Sequence, residues 1–344
     1  QGITEGLYLY LLQKREEAAI SSTSASISNY KQIEPAKGTG PIDPIERNIL
    51  LYATILGLFI PIAIVFIKDS LNETVVSRND IIKKLKAPIL GDINHLTVDQ
   101  RKGLAIAGRD IISEQFRIVR TNLAILLKND KAVILITSSS ASEGKSTISA
   151  NLAAVMALPG KKVALLEFDL RKPVITSHLD VDNEKGLSDF LTGSTTNIEE
   201  IYTTLPGYPT LHIFPAGIVN ANPADILLSR NLENLFRELK DKYDYILIDS
   251  APTGLVSDAF ILSEFSDAVL FVIRQRKTLK KQVDFINEIA LSRRMKNISV
   301  IFNDIKTGGK FGYYGYGNTD GKSYENYLTK TKRKRKKETL LIQG

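Results

Sequence analysis

The sequence predicts an α/β fold, a mainly parallel sheet with helices on both faces, preceded by one transmembrane helix. Two observations predict it. Over 109–306, short uncharged aliphatic runs alternate with segments whose apolar residues recur at helical spacing, which is typical of parallel strands joined by crossover helices. Upstream, residues 49–67 form an apolar run without a charged residue, long enough to cross a bilayer at about 1.5 Å per residue.

The elements after the apolar run follow in a regular order. An amphipathic helix is predicted over 110–128, because isoleucine, leucine, valine and phenylalanine recur there every three or four residues. A strand, a loop of small residues and a second helix come next. The predicted strands cover 132–136, 162–169, 211–215, 245–249, 268–274 and 298–303, and the later helices cover 148–158, 231–240 and 279–292.

The apolar run is interpreted as a membrane span, with a buried soluble helix as the alternative. Pro61 favours the span, since proline disturbs the interior of a soluble helix more than that of a spanning one. Residues 1–48 are then expected in the periplasm, with a helix near residues 7–17, and 68–108 form a juxtamembrane linker. Because the chain begins with Gln1, we expect it to be the C-terminal part of a longer protein. The flanking basic residues weakly place the C-terminal side in the cytoplasm: Lys31, Lys37 and Arg47 precede the span, and Lys68, Arg78, Lys83, Lys84 and Lys86 follow it.

The loop between the first predicted strand and its helix has the character of a phosphate loop. Residues 139–147 read Ser-Ser-Ala-Ser-Glu-Gly-Lys-Ser-Thr, so Ser139 stands where the usual pattern has glycine. In such a loop, backbone N–H groups and a helix N-terminus hold phosphate, the lysine reaches the outer phosphates and the following hydroxyl binds Mg²⁺. The alternative is a polar turn that caps an ordinary helix. The pattern favours a P-loop NTPase-like nucleotide site formed by Ser142, Glu143, Gly144, Lys145, Ser146 and Thr147.

Two later strands end in carboxylates. Glu167 and Asp169 close the strand 162–169, and Asp249 closes the strand 245–249. The carboxyl ends of parallel strands share one edge of a sheet, so these acids are expected near the phosphate loop. Phosphoryl transfer needs a lysine, a hydroxyl and carboxylates for Mg²⁺ and for the attacking hydroxyl. Each acid alone has a second explanation, as a cap of the next helix.

The amino-acid composition limits which metals, cysteine-dependent sites and partners the chain can have. The chain has no cysteine, which excludes disulfides, thiolate zinc sites and cysteine nucleophiles, and its three histidines, His95, His178 and His212, are scattered. The expected metal is therefore Mg²⁺. Of the net charge of +7, seven basic residues and one acid in 330–344 supply +6. The folded part is nearly neutral, which argues against a nucleic-acid partner.

The C-terminal segment 307–344 is expected to be flexible, because its Gly- and Tyr-rich part has few aliphatic side chains to bury. Next to a phosphoryl-transfer site its tyrosines are candidate acceptors, although a sticky Gly/Tyr loop is the alternative. The basic end is either a solvated tail or a contact for anionic membrane lipid. The candidate acceptors are Tyr313, Tyr314, Tyr316, Tyr324 and Tyr327.

These motifs together resemble a bacterial tyrosine kinase of the polysaccharide co-polymerase family, membrane proteins that regulate exopolysaccharide and capsule export. The resemblance implies that Lys145, Ser146 and Thr147 bind ATP phosphates and Mg²⁺, that Asp249 is a metal carboxylate, and that Glu167 or Asp169 orients or deprotonates the tyrosine. It also implies that 1–48 ends a chain-length-determinant region. The family usually has Asp at position 167 and Pro-Gly before Glu143. The motifs that carry the resemblance are 114–123, 139–147, 165–173, Gly217 with 222–229, 248–252 with 257–259, and the terminal tyrosines.

The resemblance further implies assembly into a ring. Glu114, Arg117 and Arg120 match the pattern by which one subunit docks on the next and presents its tail there; alternatively they form ion pairs on a solvated helix face. Asn303 resembles the residue that reads the adenine edge, or it closes a turn. The implied partners are further copies of the chain, the polysaccharide export machinery and a tyrosine phosphatase.

The sequence therefore predicts an ATP- and Mg²⁺-dependent protein tyrosine kinase of the bacterial inner membrane, which phosphorylates its own tail in trans and regulates polysaccharide assembly. One alternative is a positioning ATPase of the same fold, a class that carries Lys where this chain has Ser140 and lacks a tyrosine tail. The other is a non-catalytic scaffold whose ATP site sets its assembly state.

Overall fold

The computed structural model describes residues 2–26, 46–97, 103–107, 110–219, 222–254 and 257–306. It divides into two units, Gln1–Asn72 and Glu73–Gly344. The predicted tail 307–344, with all five candidate tyrosines, lies outside the described residues. In the first unit, helix α1 covers Gly2–Ser26 and helix α2 covers Glu46–Ser70, with Pro61 inside it. The stretch Arg47–Lys68 is long and apolar enough to cross a membrane, which agrees with the predicted span.

The second unit contains an eight-stranded sheet. Its strands are β1 Ile89–Asn94, β2 Ala132–Ser138, β3 Val163–Phe168, β4 Thr203–Leu205, β5 Tyr208–Phe214, β6 Tyr245–Ser250, β7 Ala268–Arg274 and β8 Ile298–Ile305. Its helices are α3 Arg78–Ile82, α4 Ile111–Leu127, α5 Lys145–Ala157, α6 Ile175–Leu179, α7 Leu187–Thr192, α8 Pro223–Leu227, α9 Asn231–Lys242, α10 Asp258–Ser263 and α11 Lys280–Leu291, with 3-10 turns at Ala105–Ala107 and Ile198–Glu200.

The strand order is β1-β8-β7-β2-β6-β3-β5-β4, and all pairs are parallel except β4 with β5. Both faces of the sheet are covered, because alternate residues of the central strands enter different cores. In β2, Ile134 and Ile136 join the core with α4 and α5, while Val133 and Leu135 join the core with α9 and α11. The predicted fold class and every strand and helix placed over 110–303 are confirmed.

The structure corrects the predicted linker over 68–108. Within it, α3 and β1 are part of the second unit, and β1 pairs in parallel with β8 at the edge of the sheet. Leu90 and Ile93 are buried on the sheet, and Gly91 lies so close to helix α4 that a Cβ would come within 2.5 Å of Val119 Cγ2. The folded unit therefore begins near Glu73 rather than residue 109. The strand was missed because its two buried aliphatic side chains flank Gly91 and Asp92, a pair that is typical of a turn.

Candidate active site

The carboxyl edge of the sheet brings the two predicted acidic strands side by side. In the register of β3 with β6, Glu167 is the partner of Asp249, and β2 pairs Ile136 with that same aspartate. Glu167 and Asp249 each come two residues after a leucine of the same strand, Leu165 or Leu247, whose side chain faces helix α5. Side chains of one parity share a face, so both acids lie on the side of the sheet where α5 begins with Lys145.

The loop between β2 and α5 has a backbone that depends on left-handed residues. Gly144 has φ +97°, and a Cβ there would come within 2.2 Å of Asn303 Nδ2. Ser142 has φ +63°, a conformation that costs a residue other than glycine about 1 kcal/mol or more. Two side chains outside the loop hold its carbonyl groups: Arg274 Nη1 donates to Ser142 O (2.7 Å) and Asn303 Nδ2 donates to Glu143 O (2.9 Å).

Lys145, the first residue of α5, is buried at the acidic edge. Its Nζ donates to Asp169 Oδ2 at 2.6 Å, and only 11% of its side chain and 7% of that of Asp169 are exposed. Burial alone would lower the pKa of Lys145, but the negative charges of Asp249, Asp169 and Glu167 outweigh burial and raise it. The lysine is therefore held as a cation where phosphate would arrive.

Asp249 is fully buried and only partly hydrogen-bonded. Ser149 Oγ donates to its Oδ1 at 3.0 Å, whereas its Oδ2 has no hydrogen-bond partner among the described residues. Burial raises the pKa of Asp249 to about 6, although Lys145 and the hydroxyls of Ser146 and Ser149 oppose that rise. Ser149 was not predicted from the sequence; its place one helical turn after Lys145 on the same face was the available signal.

Glu167 is turned partly toward the next helix. Its Oε1 accepts from the N–H groups of Val174 (2.6 Å) and Ile175 (2.5 Å) at the start of α6, and its Oε2 has no partner within the described part of the chain. Burial raises the pKa of Glu167, and those backbone donors partly offset the rise. Glu167 therefore caps helix α6 with one oxygen, as the alternative interpretation expected, while its other oxygen remains available for the site.

The residues present fit a magnesium ion. The described residues contain no group of three or more His, Cys, Asp and Glu side chains that could hold a metal alone. Mg²⁺ at a phosphate site usually needs only one or two carboxylates, since water and substrate phosphates complete its six ligands. The unpartnered Oδ2 of Asp249 and the Ser146 hydroxyl near that carboxylate supply such a set.

The other predicted site residues lie in the loop, in the first turn of α5, on β8 and on helix α4. The Glu143 side chain points into the protein, while Asn303 contacts the loop from β8. Thr147 is in the first turn of α5. On α4, Arg117 pairs with Glu114 at 3.1 Å on the surface, and Arg120 Nη1 donates to Val155 O of α5 at 2.9 Å. The proposed roles of Asn303 in adenine binding and of the α4 residues in ring formation stay predictions.

Several proteins similar in sequence to this chain are named tyrosine-protein kinases. A family profile described as AAA domain matches residues 131–302, half of the chain. The tyrosine-protein kinase YwqD of Bacillus subtilis (strain 168) is 33% identical over 210 residues, which cover 60% of this chain and 88% of YwqD. The tyrosine-protein kinase Ptk of Acinetobacter johnsonii is 26% identical over 320 residues, which cover 88% of this chain and 43% of Ptk. The chain thus spans less than half the length of Ptk.

A solved kinase domain shares the fold. The kinase domain of Escherichia coli tyrosine kinase ETK matches with a TM-score of 0.59 and 27% identity, over 67% of this chain and 94% of that domain. Fold and sequence relatives together imply nucleotide binding.

Proposed function

The chain belongs to the bacterial tyrosine-protein kinases, and from that premise we propose that it transfers the terminal phosphoryl group of ATP to tyrosines of its own tail in a second copy of the chain. The observation that carries the proposal is the buried Lys145 ammonium, 2.6 Å from Asp169 and on the sheet face that presents Glu167 and Asp249. A cation beside strand-end acids behind a phosphate loop is the arrangement that phosphoryl transfer requires.

In the proposed reaction the tyrosine oxygen attacks the terminal phosphorus, the bond from that phosphorus to the bridging oxygen of ADP breaks, and a carboxylate takes the phenolic proton. Lys145 and the backbone N–H groups of residues 142–147 neutralise and position the phosphates. Mg²⁺ would neutralise further phosphate charge, held by Ser146 and Asp249 with Asp169 as a third candidate ligand. Glu167 and Asp169 are both candidate bases: Glu167 Oε1 accepts from the N–H groups of α6 and its Oε2 has no partner among the described residues, whereas both oxygens of Asp169 accept hydrogen bonds, from Lys145 Nζ and Lys172 N.

The acceptors in this proposal are Tyr313, Tyr314, Tyr316, Tyr324 and Tyr327. Copies of the chain form a ring in which the surface of α4 with Glu114, Arg117 and Arg120 contacts the neighbour. Each phosphate adds about −1.5 to −2 charges. The phosphorylated tails of neighbouring copies therefore repel one another, and the ring opens. A tyrosine phosphatase reverses this step.

The cellular setting follows the resemblance. Residues 49–67, inside the apolar helix Arg47–Lys68, cross the bacterial inner membrane. Residues 1–48 lie in the periplasm and the kinase unit lies in the cytoplasm, where ATP is available. The basic end of the tail contacts anionic lipid. Through its cycle of assembly the kinase regulates the polymerisation and export of exopolysaccharide or capsule.

Phosphotyrosine mapping by mass spectrometry tests the activity. The full chain, Lys145→Met and the control Lys185→Met, which removes a surface lysine, are each incubated with ATP and Mg²⁺. We expect label on 313–327 in the wild type and the control, and none in Lys145→Met. ATP hydrolysis without modified tyrosine would favour the ATPase alternative, and tight nucleotide binding without hydrolysis or modification would favour the scaffold.

Transfer in trans needs its own test. Lys145→Met, with its tyrosines intact, is mixed with a chain in which all five tail tyrosines are phenylalanine. Phosphotyrosine on the Lys145→Met copy is the expected result. Its absence, when the wild type is labelled, contradicts transfer between copies.

A further inference from the structure

The connection between β7 and α11 packs against the phosphate loop through a fully buried threonine. Thr278 Oγ1 donates to Glu143 Oε1 and accepts from the backbone N–H of Arg274 at 2.9 Å, so its hydroxyl is used in both directions. Its carbonyl oxygen accepts from Val75 N at 2.8 Å. Neither Thr278 nor the connection was indicated by the sequence motifs.

The partner of Thr278 is an internal anchor of the phosphate loop. The Glu143 side chain is fully buried. Its Oε2 accepts from Ser140 N at 2.9 Å and lies 3.4 Å from Ser139 Oγ. The Glu143 carboxylate therefore lies inside the turn of the loop, and it joins the start of the loop at Ser139 and Ser140 to the backbone next to Gly144. A group in that place shapes the loop and does not itself face a phosphate.

The loop needs such an anchor because its backbone is not relaxed. Ser142 and Gly144 flank Glu143, and both have positive φ. Supports converge on these residues from β7, β8 and α11: Arg274 on Ser142 O, Asn303 on Glu143 O, and Gln282 on the Ser140 hydroxyl. Thr278, by contrast, holds the Glu143 carboxylate itself from outside the loop, and the charge of that carboxylate makes the hydrogen bond stronger than one between neutral groups.

We propose that Thr278 is a positioning residue for nucleotide binding, which acts through Glu143 to hold the backbone N–H groups of the phosphate loop in the orientation that binds the phosphates. The inference rests on the proposed nucleotide site. Thr278 acts on the loop and not on the reacting atoms. Because the loop binds the phosphates before and during transfer alike, loss of the hydroxyl weakens ATP binding and raises KM, while kcat changes little.

The test compares three variants of the full chain. Thr278→Val keeps the shape and removes the hydroxyl, and Thr278→Ser restores the hydroxyl without the methyl group. Ser266→Ala is the matched control: it removes a buried hydroxyl that donates to Ser263 O at 2.9 Å just before β7, at the opposite edge of the sheet. Affinity for a fluorescent ATP analogue is measured with Mg²⁺, alongside KM and kcat for tail phosphorylation.

We expect about tenfold weaker nucleotide binding for Thr278→Val, the loss of one hydrogen bond to a charged group, with kcat within about twofold. Thr278→Ser and Ser266→Ala should bind as the wild type does. Unchanged affinity in Thr278→Val, equal impairment in Thr278→Ser, or a fall in kcat with KM unchanged would each overturn the proposal. If Thr278→Val does not fold, Thr278→Ala replaces it under the same criteria. A wild-type chain that binds no nucleotide would instead contradict the proposed function.

Discussion

Replacement of Asp249 by asparagine is expected to make the ligand-free protein more stable while removing its activity. Burial raises the pKa of this carboxyl from 3.8 to about 6. A pKa difference of about two, at about 1.4 kcal/mol for each unit, means that ionising Asp249 costs the folded state about 3 kcal/mol relative to the unfolded state. The neutral asparagine avoids that cost and keeps an oxygen for the Ser149 hydroxyl.

The direction in which this stability difference changes with pH follows from proton binding to Asp249. Between pH 3.8 and about 6 the folded state holds the proton of Asp249 more tightly than the unfolded state, so the stability due to this group is complete below 3.8 and is lost as the pH rises through 6. The variant should therefore exceed the wild type by up to about 3 kcal/mol at pH 7.5 and match it near pH 4.

Hydrogen–deuterium exchange of the β2 and β6 amides at both pH values measures this difference, since these central strands exchange only when the kinase unit opens. The control is Asp267→Asn. Its Oδ2 accepts from Val133 N at 2.8 Å at the opposite edge of the sheet, so it should not gain stability on neutralisation. A variant at position 249 that is less stable than the wild type at pH 7.5 refutes the reasoning.

Two further predictions concern the same edge. Gly144→Ala should abolish nucleotide binding, because the added Cβ would collide with Asn303 Nδ2. The control Gly160→Ala, also at positive φ but with open space around it, should keep nucleotide binding and lose only about 1–2 kcal/mol of its free energy of unfolding. Binding titrations and thermal melts of both variants check this, and adding Asn303→Ala to Gly144→Ala should partly restore binding. Glu167→Asp withdraws the carboxylate from the α6 N–H groups, and should speed the exchange of the amides at 174 and 175 by about tenfold, equivalent to one hydrogen bond to a charged group; an unchanged exchange rate contradicts the contact.

The parallel core could be predicted because each element has a strong local signal. Strand β6 is a continuous aliphatic run that ends in an acid, and α11 shows buried residues at helical spacing, so their types followed from periodicity alone. Strand β1 could not be found in this way, since its pairing with β8 joins residues about two hundred positions apart and its sequence contains Gly91. Such a strand is defined by its place in the sheet and not by its own pattern.

The candidate site was predictable in its residues but not in its contacts. Lys145 could be predicted because it follows a strand and a small-residue loop at the start of a helix, and Asp249 because it closes an aliphatic strand. That Glu143 would point inward to Thr278, or that one oxygen of Glu167 would cap α6, depends on side-chain directions set by distant segments. Motif spacing gives the position of a residue along the chain, whereas the direction of its side chain is decided by packing.

The excess of carboxylate at this edge argues for a ligand. Lys145 is the single cation in direct contact with the strand-end acids in the described residues, and Glu167, Asp169 and Asp249 face it. A purely structural edge would gain by losing a buried acid that has an unpartnered oxygen, because neutral residues avoid the desolvation cost. An edge that binds Mg²⁺ and a triphosphate needs those oxygens, and the bound ion then offsets the cost by stabilising only the folded state. The gain in the free energy of unfolding expected for Asp249→Asn thus measures how much stability the ligand-free protein loses by keeping an acid that its ligand needs.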